Sequence, residues 1–346
     1  VVSALHRLAA GTLLALAALA SITAQAAVGL AQLPARGDDG PVTLFYPSSA
    51  AAGPVVRGTS HFQLAWQGAP VRGNGRLVVL SHGSGGSPWV HADLATRLAE
   101  AGFMVAVPEH RGDNWHDHAD AGPASWKQRP GEVSRAIDAV AADARFAPLV
   151  ATDRVGVWGM SAGGHTALTL AGGRWSPAAL MKHCDAHLDD DFPSCVGLAL
   201  QLKGDLLDGP KKALARFAIH RRLADPSWYT HTDPRVAAIV AEVPFAVDFD
   251  PASLAQPRMP LGLVRAGRDA WLAPRHHIDG VLRACIRCEL LADLPTAGHG
   301  SLMSPPPPPL SGAAEALLRD PPGFDRALVA PVYARVAAFF QQHLLP

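Results

Sequence analysis

The chain has 346 residues, 49% of them hydrophobic and 17% charged, enough to bury one large α/β core or two small ones. Lys+Arg and Asp+Glu are equal at 30 each, which argues against a nucleic-acid or anionic-membrane partner held by bulk charge. With 16 histidines, the net charge rises as pH falls below neutral.

His6 and Arg7 give a mildly positive start. Residues 8–20 form an apolar run too short to cross a bilayer comfortably, and Ala24-Gln25-Ala26 is a small-x-small cleavage signal. The expectation is a signal peptide over residues 1–26, cleavage after Ala26 and export to the periplasm or the medium, with no stable membrane anchor afterwards. Export suits the cysteines, Cys184, Cys195, Cys285 and Cys288, as disulfide formers. Sequence leaves their connectivity open. The favoured pairing is Cys184 with Cys195, around Asp185, Asp189, Asp190 and Asp191, and Cys285 with Cys288.

Residues 27–40 read as a loose lead-in and 41–46 as a strand ended by Pro47-Ser48-Ser49. Residues 50–75, rich in Gly, Ala and Pro, predict loops with a short edge strand near 62–66. Strands are then expected at 76–80, 103–107, 154–158, 236–243, 259–266 and 289–294. Between them helices are expected at 88–101, 131–146, 162–171, 211–223 and 274–284, with a closing helix at 326–343. Residues 109–130 read as a long polar loop, and the prolines at 305–309 as a rigid polyproline II segment. Alternation of this kind implies a mainly parallel central sheet flanked by helices, with ligands at the carboxyl ends of the strands. Residues 173–234 break the rhythm and are expected to form an insertion that caps the site. The reading is a single α/β domain over 27–346.

The stretch Val155-Gly156-Val157-Trp158-Gly159-Met160-Ser161-Ala162-Gly163-Gly164 contains G-x-S-x-G between a strand and a helix. Such a nucleophile elbow holds its serine on a strained turn so that the hydroxyl stands clear. A serine hydroxyl needs a base, and the base an orienting acid. In elbow-bearing hydrolases the chain order is Ser, then Asp or Glu, then His. Asp269 lies just past a strand, and His299 lies in a glycine-flanked loop after the last strand, so Ser161, Asp269 and His299 are the candidate triad. The rival acids Asp279 and Asp293 and the rival bases His165, His276 and His277 fit those positions less well. Two backbone amides are needed for an oxyanion hole. Ala162 follows the nucleophile, and Ser84 lies in the Ser81-His82-Gly83-Ser84-Gly85-Gly86 turn. His110, Asp113, His116, Asp117, His118 and Asp120 crowd one loop; they read as the polar rim of a cleft, with Trp115 and Trp126, rather than as metal ligands. His82, His110, Trp115 and Met160 are the substrate-cleft candidates.

Ser81-His82-Gly83-Ser84-Gly85-Gly86, Pro108-Glu109-His110-Arg111, Arg129-Pro130, Gly159-Met160-Ser161-Ala162-Gly163-Gly164, Gly267-Arg268-Asp269 and Gly298-His299 occur in this order. Together they resemble the α/β-hydrolase superfamily, and within it bacterial predicted dienelactone hydrolases related to platelet-activating-factor acetylhydrolase. The resemblance covers residues 40–345 apart from much of 173–234. Ser161 stands where dienelactone hydrolases proper carry a cysteine.

The expected function is serine hydrolysis of small or short-chain carboxylic esters through an acyl-enzyme, with neither cofactor nor metal. A peptidase or amidase on the same triad is the first alternative, and a non-catalytic binding protein of the same fold the second. The expected partner is a small-molecule ester, not nucleic acid.

Overall fold

The computed structural model describes residues 27–346, so the expected signal peptide lies outside the described residues. The chain opens with β1 (Ala27–Leu33), β2 (Val42–Ser48), β3 (Gly53–Arg57), β4 (Ser60–Trp66) and β5 (Arg76–Ser81). Then come α1 (Ala92–Glu100), β6 (Met104–Pro108), α2 (Pro123–Ala142), β7 (Ala151–Met160) and α3 (Ala162–Leu170). Three helices follow before the next strand, α4 (Pro177–His187), α5 (Phe192–Val196) and α6 (Asp208–Arg222). The chain ends with β8 (Val236–Glu242), α7 (Pro251–Leu254), β9 (Leu261–Ala266), α8 (Ile278–Ala284), β10 (Glu289–Leu294), α9 (Gly312–Leu318) and α10 (Val329–Leu344).

One 10-stranded sheet runs β10-β9-β8-β7-β5-β6-β2-β1-β4-β3. From β10 through β6 every neighbouring pair is parallel, whereas β2 joins β6 and β1 joins β2 antiparallel. This is the expected α/β-hydrolase architecture. The central strands are apolar on both faces, as strands covered by helices on both sides must be. In β7, Val155 and Val157 face one core with α2 and α3, while Trp158 and Met160 face the other with α1 and α10. The chain steps from β5 to β6 on one side and to β7 on the other. The crevice at that reversal, beyond the carboxyl ends of β5 and β7, is where open α/β sheets bind ligands.

Several sequence expectations are corrected. Residues 27–33 are a strand, paired over their whole length with β2; Gly29 fits because a Cβ there would overlap the Tyr46 ring. Segment 50–75 holds a two-stranded edge, β3 with β4, rather than one strand. α2 starts at Pro123, so residues 123–130 are helix and not loop, and Pro130 sits inside it. An interior proline forfeits one helical hydrogen bond. Here the first half of the helix is tied down by Trp126, Arg129 and Glu132, all buried, and that anchoring outweighs the loss.

Both favoured cysteine pairs are bonded, Cys184 to Cys195 and Cys285 to Cys288. The first joins α4 to α5, and both helices pack through Leu180, Leu188 and Phe192 onto the same core as α3. Among the described residues no helix is long and apolar enough to cross a membrane. Replacing Cys184 and Cys195 together by serine frees a loop with a sequence separation of 11. Denaturant unfolding of that double variant is expected to show a loss of about 2–3 kcal/mol, with a loss below about 0.5 kcal/mol counting against a stabilising role.

Candidate active site

Ser161 joins β7 to α3 with φ 57° and ψ −117°. Non-glycine backbone of that kind costs about 1–3 kcal/mol unless its surroundings impose it. Here they do. The Ser161 amide donates to the Glu242 carbonyl at 3.1 Å, and its carbonyl accepts from the amides of His165 at 3.0 Å and Phe245 at 3.2 Å. A Cβ on Gly159 would overlap the Gly163 carbonyl, and one on Gly163 would overlap the carbonyl of Ser81 at the end of β5. Only glycine lets strand, turn and helix approach so closely.

The turn after β5 lies alongside. A Cβ on Gly83 would stand 3.4 Å from Cβ of Ser161, so the Gly83-Ser84 backbone borders the serine. Ala162 opens α3, whose first amides have no acceptor within the helix. Gly83, the neighbour of Ser84, and Ala162 therefore border Ser161, one from the β5 turn and one from the start of α3.

Asp269 follows β9, and His299 follows β10. Oδ1 of Asp269 accepts the amides of Trp271 at 2.9 Å and Leu272 at 2.7 Å, while Oδ2 lies 2.7 Å from Nδ1 of His299. Both residues are buried, and the Trp271 ring packs on the imidazole at 5.3 Å between centroids. A carboxylate fixed at Nδ1 selects the tautomer with its proton there, leaving Nε2 as the acceptor nitrogen. No hydrogen bond joins the Ser161 hydroxyl to His299 among the described residues; such bonds are often loose without substrate.

The rivals are engaged elsewhere. His165 Nε2 lies 3.1 Å from Asp248, within a cage of Trp126, Trp175, Phe245 and Phe249. His276 and His277 meet Asp190 and Asp191. Asp279 and Asp293 both bind Arg265.

Beneath the β5 turn lies a buried polar network. Arg129 has no exposed surface and pairs with Asp113 at 2.8 Å; it also donates to the His82 carbonyl at 2.6 Å and the Ser125 hydroxyl at 2.8 Å. Asp113 in turn accepts the Ser84 hydroxyl at 2.5 Å and the Gly85 amide at 3.0 Å. Burial pushes the Asp113 carboxyl up, but Arg129, Ser84 and Gly85 together hold it below the ordinary carboxylate value. His110 bridges Ser81 at 2.8 Å and Glu132 at 2.5 Å. Burial, aided by the nearby Arg129 charge, lowers His110 well below an ordinary histidine. Burial raises Glu132 to about 7 despite Arg129.

The cleft candidates divide accordingly. His82, His110 and Met160 are wholly buried, so they support the site from below instead of lining an open surface. His110 and Asp113 leave the expected rim for the network, because each finds a buried partner there. Trp126 also leaves it, its ring packed on His165 as one wall of that cage. Trp115 stays exposed, its indole N–H donating to Glu109. The sequence reading missed the roles of Arg129, Glu132, Asp248 and Glu242. Its available signals were charged residues set among apolar ones, as in Val236-Ala237-Ala238-Ile239-Val240-Ala241-Glu242. A cavity of about 340 Å³ beside Arg36, Asp39 and Arg135 contains none of Ser161, Asp269 and His299.

Comparison with known proteins agrees with the resemblance read from the sequence. The profile of the Dienelactone hydrolase family matches residues 66–185, a span that holds Ser84 and Ser161 but ends before Asp269 and His299. The fold is similar to that of a ferulic acid esterase from Streptomyces cinnamoneus, with a TM-score of 0.59 and 18% identity over 92% of this chain and 89% of that one. No curated protein sequence matches the chain. The likeness is thus to ester hydrolases of the α/β-hydrolase fold.

Glu242, at the end of β8, is buried, and neither carboxyl oxygen has a hydrogen-bond partner. Burial raises it to about 8 from an ordinary 4.5, so the folded protein holds a proton that the unfolded chain releases. The associated stability is full below pH 4.5, declines as pH rises, and is lost above about 8. Urea titrations between pH 5 and 8 are expected to give Glu242→Gln a shallower fall than the wild type, the difference approaching about 1.4 kcal/mol per pH unit. Identical slopes would contradict a buried neutral carboxyl.

Proposed function

We propose that this protein is an exported serine hydrolase that cleaves small carboxylic esters through an acyl-enzyme. The observation that carries the proposal is the pairing of His299 with Asp269, on loops that follow parallel strands of the sheet whose β7 ends in the positive-φ Ser161 turn. In this reading Ser161 attacks the ester carbonyl, and Nε2 of His299 takes its proton. Asp269 holds the imidazole and stabilises its charged form. The amides of Ser84 and Ala162 stabilise the tetrahedral oxyanion. His299 then returns the proton to the leaving alkoxide, and water releases the acid. These steps ask nothing of a cofactor.

The buried network gives the oxyanion site its rigidity. Asp113, fixed by Arg129, grips the Ser84 hydroxyl and the Gly85 amide, so the Gly83-Ser84 backbone is set before substrate arrives. A preorganised donor costs no reorganisation at the moment of reaction. Residues 27–346 are read as one α/β-hydrolase domain, with the insertion at 173–234 bordering the cleft. Its two disulfides suit the oxidising compartment to which a signal peptide ending at Ala26 would deliver it.

Kinetics of the mature protein on p-nitrophenyl esters from acetate to dodecanoate, and on methyl ferulate, test the substrate class. A short-chain optimum is expected, with amino-acyl anilides turned over far more slowly. Ser161→Ala and His299→Ala, checked for folding by circular dichroism, are each expected to lose about ten-thousand-fold or more in kcat. Wild-type turnover by folded Ser161→Ala would overturn the proposal.

A further inference from the structure

Away from Ser161, the insertion and the segment after Asp269 bring three imidazoles together. His183 and His187 lie one helical turn apart on α4, so both project from one face. Their ring centroids are 4.9 Å apart. His276 comes from the segment before α8 and stacks against both, 4.6 Å from His187 and 5.3 Å from His183. One ring nitrogen from each lies within 4.8 Å of the others.

Two carboxylates complete the surroundings. Asp190 stands between two of the rings, with Oδ2 2.9 Å from Nε2 of His276 and Oδ1 3.4 Å from Nδ1 of His187. Asp191, buried, takes Nε2 of His183 at 2.8 Å and is itself held by the Ser194 hydroxyl at 2.6 Å. A carboxylate on one ring nitrogen is the usual support for a histidine that gives its other nitrogen to a metal. The Cys184–Cys195 disulfide closes the loop that carries His187, Asp190 and Asp191, and so restrains these side chains covalently.

We propose that His183, His187 and His276, with Asp190 as fourth ligand, form a binding site for a divalent transition-metal ion, zinc foremost. Three imidazoles and a carboxylate make a tetrahedral, borderline donor set that suits zinc and is too nitrogen-rich for calcium or magnesium. Two carboxylates offset the ion's charge. Arg275, largely exposed, donates from Nε to Nε2 of His276 at 3.1 Å and pairs with Asp190 at 3.2 Å, so the ion has to displace its guanidinium from both. The ion closes the rings inward and ties α4 to the segment that begins at Asp269. Trp271 and Leu272 in that segment hold the Asp269 carboxylate, so the metal stiffens the acid's support without touching substrate.

The test uses the mature protein without an added polyhistidine tag. Cobalt(II) titration should give visible d–d absorption of a tetrahedral site saturating at one equivalent, and zinc should displace it. Zinc should also raise Tm of the wild type. His187 is partly exposed, so His187→Ala spares the core; it should weaken zinc binding by more than about 100-fold and abolish the Tm rise. His276→Gln should behave alike. No tetrahedral cobalt spectrum at one equivalent, or zinc affinity unchanged in folded His187→Ala, would overturn the proposal.

Discussion

The tightest constraint in the molecule is steric: α3 begins so close to the ends of β5 and β7 that there is no room for a Cβ at Gly159 or Gly163. That closeness forces the turn and places Ser161 at φ 57°. The hydrogen bonds at its amide and carbonyl then keep it there. The strain is spread over a central strand buried on both faces and a helix buried throughout, so the chain cannot relax it locally. Parallel strands β7, β8, β9 and β10, adjacent in the sheet, then deliver the serine, Glu242, Asp269 and His299 along one edge.

A second constraint is electrostatic. Arg129 and Asp113 are both fully buried, and a charge left alone there would cost about 3–5 kcal/mol. The pair is therefore weak evidence of net stability but strong evidence of geometry: the β5 turn, the loop after β6 and the start of α2 must keep one arrangement. The pair also explains why α2 runs through Pro130, since the helix is held by what Arg129 and Glu132 bind.

Much of this was legible in the sequence. Glycines spaced around Ser161, an aspartate just past a strand and a histidine between glycines after the last strand each have a local reason, and local reasons can be read from local sequence. The parallel strands were legible because each is a short apolar run bounded by turns. What was not legible depended on distant partners. β1 is alanine-rich and becomes a strand through β2 and the ring of Tyr46. The first half of α2 looked like loop because Pro130 signals a stop, and only the buried partners of Arg129 and Glu132 overrule it. His110 and Asp113 looked like a solvated rim because no sequence window shows Glu132 and Arg129 facing them. His183 and His187 share one turn of α4, but His276 lies far along the chain and meets them only when α4 packs beside the segment before α8.

The central claim is that Ser161 is the nucleophile of an ester hydrolase, and active-site labelling addresses it most directly. The mature protein would be treated with a fluorophosphonate probe, digested, and the modified peptide identified by mass spectrometry while ester turnover is followed. The account predicts one label per chain, on Ser161, with loss of turnover in step with labelling. Ester turnover that persists while Ser161 stays unlabelled, or a label on another residue that tracks the loss of activity, would contradict it.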